Sequence, residues 1–166
     1  MELSPLSPAY ITASSCLDDD EDTHGPNGLM GAASSIAGAD ENGACWRSRG
    51  GEESATLTLH FSTPVDAAAV ELSFAVGFAA RTVRVCMSTR DRNGGGGGGG
   101  EGDGDEDGEA WIEVGLIDTD ADAHGTQRFA LKSFVAPLGV RALRLEFINA
   151  TDLFGRLIVY RVAALG

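Results

Sequence analysis

Apolar and polar residues alternate with a period of two along most of the chain, the signature of strands that bury one face. Leu57, Leu59 and Phe61 alternate with Thr56, Thr58 and His60, and after Ser62-Thr63-Pro64 the pattern resumes at Val70, Leu72, Phe74 and Val76. Val83, Val85 and Met87 follow, with Arg84 and Cys86 between them. Ile112, Val114 and Leu116 alternate after Trp111, Phe129 and Leu131 make a shorter run, and Leu143, Leu145 and Phe147 a clean one. From Leu157 to Leu165 the pattern puts Ile158, Tyr160, Val162 and Ala164 on one face. Tyr10 to Ala13 adds a strand to an otherwise loose first 50 residues. No segment holds a 3.6-residue period for more than two turns, so helix is expected to be scarce. Seven or eight short strands separated by polar turns predict an all-β fold, an antiparallel β-sandwich of jelly-roll type.

A length of 166 residues suits one domain spanning 1–166, and 43% hydrophobic residues suffice for a buried core. The formal charge is −13, from 25 acids and 12 bases, which argues against a nucleic-acid-binding surface. Eleven of those acids sit in two runs, five at Asp18–Asp22 and six between Glu101 and Glu109, both read as solvated loops. The second run belongs to a stretch, 93–108, that contains seven consecutive glycines. Glycine loses most entropy on ordering and the acids repel, so this stretch is expected to be a disordered insertion in a hairpin. The N-terminal segment lacks the basic region of a secretory signal, and no apolar run approaches the roughly 20 residues that span a bilayer. Cys16, Cys45 and Cys86 show no CxxC or zinc spacing and read as reduced thiols, with Cys86 a core residue. The expected location is intracellular, in nucleus or cytoplasm, and not secreted.

Catalytic patterns are missing. There is no GxSxG, no HExxH and no Gly-Lys-Ser/Thr after the glycine run, and His24, His60 and His124 are scattered. Asp118, Asp120 and Asp122 resemble the opening of an EF-hand loop, but Ala123 and Phe129 stand where that loop needs Gly and Glu, so a solvated hairpin turn is expected. No cofactor or metal is assigned, and the chain is not expected to be an enzyme.

Several motifs resemble those of the galactose-binding-like, coagulation-factor type C (discoidin-like) sandwich. Thr12-Ala13-Ser14-Ser15 is similar to its first strand end, and Asp40 to Ser48, with Cys45-Trp46, is similar to its acid-then-Trp loop. Gly155-Arg156-Leu157-Ile158 is similar to its entry into the final strand. Ala150-Thr151-Asp152-Leu153-Phe154-Gly155-Arg156, with Gly77-Phe78-Ala79-Ala80-Arg81, resembles the nuclear receptor 2C2-associated protein family. The resemblance implies a small non-catalytic sandwich with a protein partner, a nuclear receptor or another transcription factor. It implies no membrane or direct nucleic-acid contact and a monomer. Several sandwich relatives hold a structural calcium, but the same alignment places Arg161 where their Glu ligand stands, so the metal is not carried over.

The family-like residues fall in connections rather than strands, where packing alone would explain them. The predicted docking surface therefore comprises the 40–48 loop, the 77–81 turn and the 151–156 turn, with Phe78, Arg81, Asp152, Phe154 and Arg156 as partner-binding residues. Trp46 and Asp40 are assigned to anchoring the loops, and Arg156 to an ion pair with Asp152 or Asp40. Two other classes stay open. One is a structural subunit of a larger assembly such as intraflagellar transport, which needs an exposed apolar sheet face. The other is a carbohydrate-binding module, which needs exposed aromatics. Because long loops add little closure entropy, deleting 93–108 is expected to move the melting temperature by no more than about 2 °C, measured by circular dichroism.

Overall fold

Two antiparallel sheets close over the apolar stripes in a computed structural model that describes residues 2–29, 45–89, 111–131 and 139–166. Asp40 and the 93–108 stretch lie outside the described residues. One sheet runs β2 (Tyr10–Ala13), β4 (Ser54–Val65), β9 (Val140–Ala150), β6 (Ala80–Ser88), β7 (Ile112–Asp118). The other runs β1 (Pro5–Leu6), β10 (Ile158–Leu165), β5 (Ala69–Phe74), β8 (Gln127–Ala130), with β3 (Trp46–Arg47) also pairing β10. The chain passes between the sheets at β4–β5, β5–β6, β7–β8, β8–β9 and β9–β10, which is jelly-roll connectivity. Among the described residues helix is confined to short turns, such as α1 (Glu21–His24).

The core is built from the predicted stripes. Leu57 and Leu59 of β4 lie opposite Leu145 and Leu143 of β9, Ala55 lies opposite Phe147, and with Phe61 they share one core cluster with Val70, Leu72 and Phe74 of β5. Trp46 is 0% exposed and tilts against Phe147, ring centroids 5.8 Å apart, while Phe74 meets the same ring edge-on at 5.9 Å.

Alternation fails where a bulge inserts a residue. Between β6 and β7 the register steps from Val85↔Gly115 to Cys86↔Glu113, leaving Val114 extra. Val114 and Ile117 are therefore buried, whereas Leu116 is 60% exposed and Ile112 also faces out, contrary to the predicted Ile112/Val114/Leu116 face. In β10 the extra residue is Tyr160, between Val159↔Phe74 and Arg161↔Ser73. The inward residues are Val159, Val162 and Ala164, rather than a single Ile158/Tyr160/Val162/Ala164 face. Val76 falls beyond the end of β5 and is exposed.

Three further expectations are corrected. The 118–124 segment makes a tight turn in which Asp120 Oδ1 accepts from the Asp122 amide, but it crosses between sheets rather than closing a hairpin. His60 faces outward yet is buried, because Tyr10 stacks on it at 4.3 Å and the Thr12 hydroxyl bonds its ring nitrogen. The 18–22 acids form helical turns instead of loop, with the Asp20 carboxylate capping the Thr23 amide and Asp19 paired to Arg49.

On the outer face of the second sheet Glu71 accepts charge-assisted bonds from Arg128 (2.8 Å) and Arg161 (2.8 Å). Desolvation pushes its carboxyl up, but the two guanidinium groups outweigh that and hold it below its ordinary range. A depressed folded pKa means that this pairing stabilises the protein above the ordinary carboxylate range and is lost as pH falls through the lowered value. Glu71→Gln is expected to cost about 2 kcal/mol near neutral pH, a fall of roughly 6 °C in Tm, with the gap to wild type narrowing in acid melts.

Candidate functional site

Three connections meet at the end of the sandwich where β10 begins. The segment after β3 is tied to the β9–β10 turn because the Ser48 amide donates to the Leu157 carbonyl (3.0 Å) and Ser48 Oγ accepts from the Leu157 amide (2.8 Å). The Gly51 amide donates to the Phe154 carbonyl (2.8 Å). The β5–β6 turn joins from the other side through Ala75 N and Phe78 O, both bonded to Ile158, and through reciprocal bonds between Ala79 and Thr151.

The turn itself is held by one carboxylate. Asp152 Oδ2 accepts from the Phe154 amide (3.1 Å), the Arg156 amide (3.1 Å) and Arg156 Nε (2.9 Å), while Oδ1 accepts from Arg156 Nη2 (3.1 Å). These bonds, led by those from the Arg156 side chain, hold the Asp152 carboxyl down to about 2 and raise the Arg156 guanidinium. Arg156 lies between two rings, 5.5 Å from the Phe78 centroid and 5.2 Å from that of Phe154. Gly155 supplies the positive φ (+71°) that closes the turn. At Gly50 a Cβ would meet Arg156 Cγ at 2.7 Å and the Phe154 carbonyl oxygen at 2.8 Å, so only glycine lets the two loops touch.

The turn offers what it does not pack. Leu153 is 91% and Phe154 66% exposed. Beside them lies a cavity of about 450 Å³ with Ala55, Phe147 and Leu157 among its apolar lining and Glu52, Glu53 and Asn149 among its polar lining.

Asp152, Phe154, Arg156 and Phe78 are thus brought together. Arg81 is exposed, and among the described residues no side-chain contact joins it to this cluster: its carbonyl accepts from the Thr119 amide on the β7–β8 turn, although Ala79 and Ala80 before it are bonded to Thr151 and paired with Ala150. Trp46 offers no ligand platform: it is fully buried and its indole N–H donates to the Ser15 carbonyl (2.9 Å). Sequence reasoning missed Leu153, Gly50, Glu52 and Glu53. Gly50-Gly51 was the available signal of a turn leading into two acids, and Leu153 adjoins an aromatic already selected.

No protein-family model matches the chain. Over 122 residues it is 31% identical to the nuclear receptor 2C2-associated protein of Danio rerio, covering 74% of this chain and 71% of that protein. The chain belongs to the nuclear receptor 2C2-associated protein family. This family member has the sandwich of chitosan-binding module 1 from a Paenibacillus sp. IK-5 chitosanase/glucanase (TM-score 0.66, 13% identity, 100% of both chains). It also matches an F5/8 type C domain of Bacteroides fragilis (TM-score 0.64, 11% identity, 98% and 95% covered). A third likeness is a CBM32 module of Clostridium perfringens in complex with GalNAc-β-1,3-galactose (TM-score 0.66, 11% identity, 98% and 99% covered). At those identities the likeness concerns the fold alone, an antiparallel β-sandwich.

The Asp152–Arg156 turn is expected to respond to acid. Since the folded Asp152 value lies below the ordinary 3.8, its contribution is present above about pH 4 and disappears as pH falls toward 2. Melts of wild type and Asp152→Asn from pH 7 to 2 should differ most near neutrality and converge at the acid end.

Proposed function

We propose that this chain is a non-catalytic interaction module that docks a protein partner through the loop end built on Asp152. The observation that carries this reading is the pair Leu153 and Phe154, held in solvent on a turn whose backbone is already fixed. Large apolar side chains on a preorganised turn give up little further entropy on binding and suit the centre of an interface. The name of the Danio rerio relative supports a nuclear receptor, or another transcription factor, as the partner.

The chemistry of the described residues supports the absence of catalysis. Burial pushes the Cys86 thiol up, opposite to what an activated nucleophile needs, and His60 is covered by Tyr10. For the glycan alternative, Trp46 is buried, Trp111 is half-buried with Arg144 over its ring at 4.3 Å, and Tyr10 is stacked on His60, which leaves Phe154 as the most open aromatic among the described residues. A structural subunit would need an apolar outer sheet face. The outer faces instead carry the Glu71–Arg128–Arg161 cluster on one sheet and Arg84 paired with Glu113 and Glu146 on the other.

Native affinity purification from the source cells tests this reading. Leu153→Ser with Phe154→Ser should keep the melting temperature within about 2 °C and reduce co-purified partner roughly tenfold or more, while Arg81→Ala has little effect. Undiminished capture by the double variant would show that the partner docks elsewhere.

A further inference from the structure

We infer that the loop end takes a basic peptide segment of its partner, one in which Lys or Arg flanks an apolar residue; this rests on the docking reading above. Leu153 and Phe154 themselves line the open 450 Å³ cavity, together with the largely buried Ala55, Phe147 and Leu157, and its volume admits one aliphatic or aromatic side chain against the exposed pair. The same cavity is lined by Glu52 and Glu53, both exposed. The cation of the same turn is already committed: Arg156 gives its Nε and Nη2 to Asp152 and lies over the Phe78 and Phe154 rings. Among the described residues no salt bridge reaches Glu52 or Glu53, so their charge is left for an occupant. The Gly51 amide bonds the Phe154 carbonyl, and a Cβ added at Gly155 would lie 3.7 Å from the Glu52 carbonyl oxygen, so the segment that carries the acids is joined to the apolar tip through its backbone.

The charge also selects among occupants. In an isologous dimer two copies would set Glu52 and Glu53 near the same residues of the other copy, on chains of net charge −13 each, which is repulsive. An acidic peptide meets the same repulsion. A basic one is attracted over a Debye length of about 8 Å at physiological salt and gains specificity from the apolar side chain.

Two labelled peptides of equal length decide the matter by fluorescence anisotropy with the full chain in 0.15 M salt. One carries a Leu and a Phe among Lys and Arg; the other keeps the apolar residues and replaces every base with Glu. The basic peptide should bind, and Leu153→Ser with Phe154→Ser should weaken it roughly tenfold or more. Glu52→Gln with Glu53→Gln should weaken it roughly fivefold, whereas Asp66→Asn with Asp122→Asn, removing two exposed acids outside the site, should change it by less than about twofold. Equal losses in the two acid-to-amide variants would reduce the effect to net charge and overturn the inference. So would equal binding of both peptides, or a dimer in sedimentation that Phe154→Ser dissolves. If neither peptide binds while partner capture still depends on Leu153 and Phe154, the peptide chemistry is wrong and the docking reading stands. If capture is also independent of them, both fall.

Discussion

The Asp152 carboxylate accepts four bonds from its own turn, and the loop end takes its shape from them. Two of those bonds fix the backbone through the amides of Phe154 and Arg156, and two hold the Arg156 side chain where its guanidinium lies over the Phe78 and Phe154 rings. With Arg156 in place, Gly50 can lie against its stem and Gly51 can bond the Phe154 carbonyl. The segment after β3, the β5–β6 turn and the β9–β10 turn are consequently one assembly. A carboxylate with so many donors is strongly biased toward its charged form, which is why its ionisation is shifted so far.

That assembly separates two kinds of aromatic residue. Trp46 and Phe147 are inside, joining the sheets, and give the end a rigid base. Phe154 is outside, with one face used by a cation of its own turn and the rest open. A sandwich shared with sugar-binding modules can thus present a quite different surface, because the sheets set the scaffold and a few connecting residues set what is offered.

The sheets were largely legible in the sequence because a buried face imposes a period of two. Leu57, Leu59, Phe61 and Leu143, Leu145, Phe147 lie where the alternation placed them. Leu116 and Tyr160 did not, since a bulge depends on the partner strand and leaves no mark in its own strand's pattern. Local chemistry within the turn was also legible: Asp152 and Arg156 are four residues apart and pair as their spacing suggested. The approach of Gly50 to Arg156 was not, because contacts across 106 positions follow from how the sheets close. Arg81 was selected with the 77–81 motif, and its carbonyl bonds the Thr119 amide while Ala79 and Ala80 of the same motif meet Thr151 and Ala150, a division that only the sheet register reveals.

The Tyr160 bulge has a consequence for orientation. Phe74 and Ser73 are neighbours on β5 yet face Val159 and Arg161, so β10 takes up one residue more than its partner over that step. A bulge of this kind bends its strand and increases the local twist rather than lengthening the ladder. On the turn side of it Val159 is still paired with Phe74 and Trp46, and on the other side Arg161 keeps its ion pair with Glu71. The direction in which β10 meets the turn that carries Leu153 and Phe154 is thus set by one extra strand residue, independently of the side chains that form the tip.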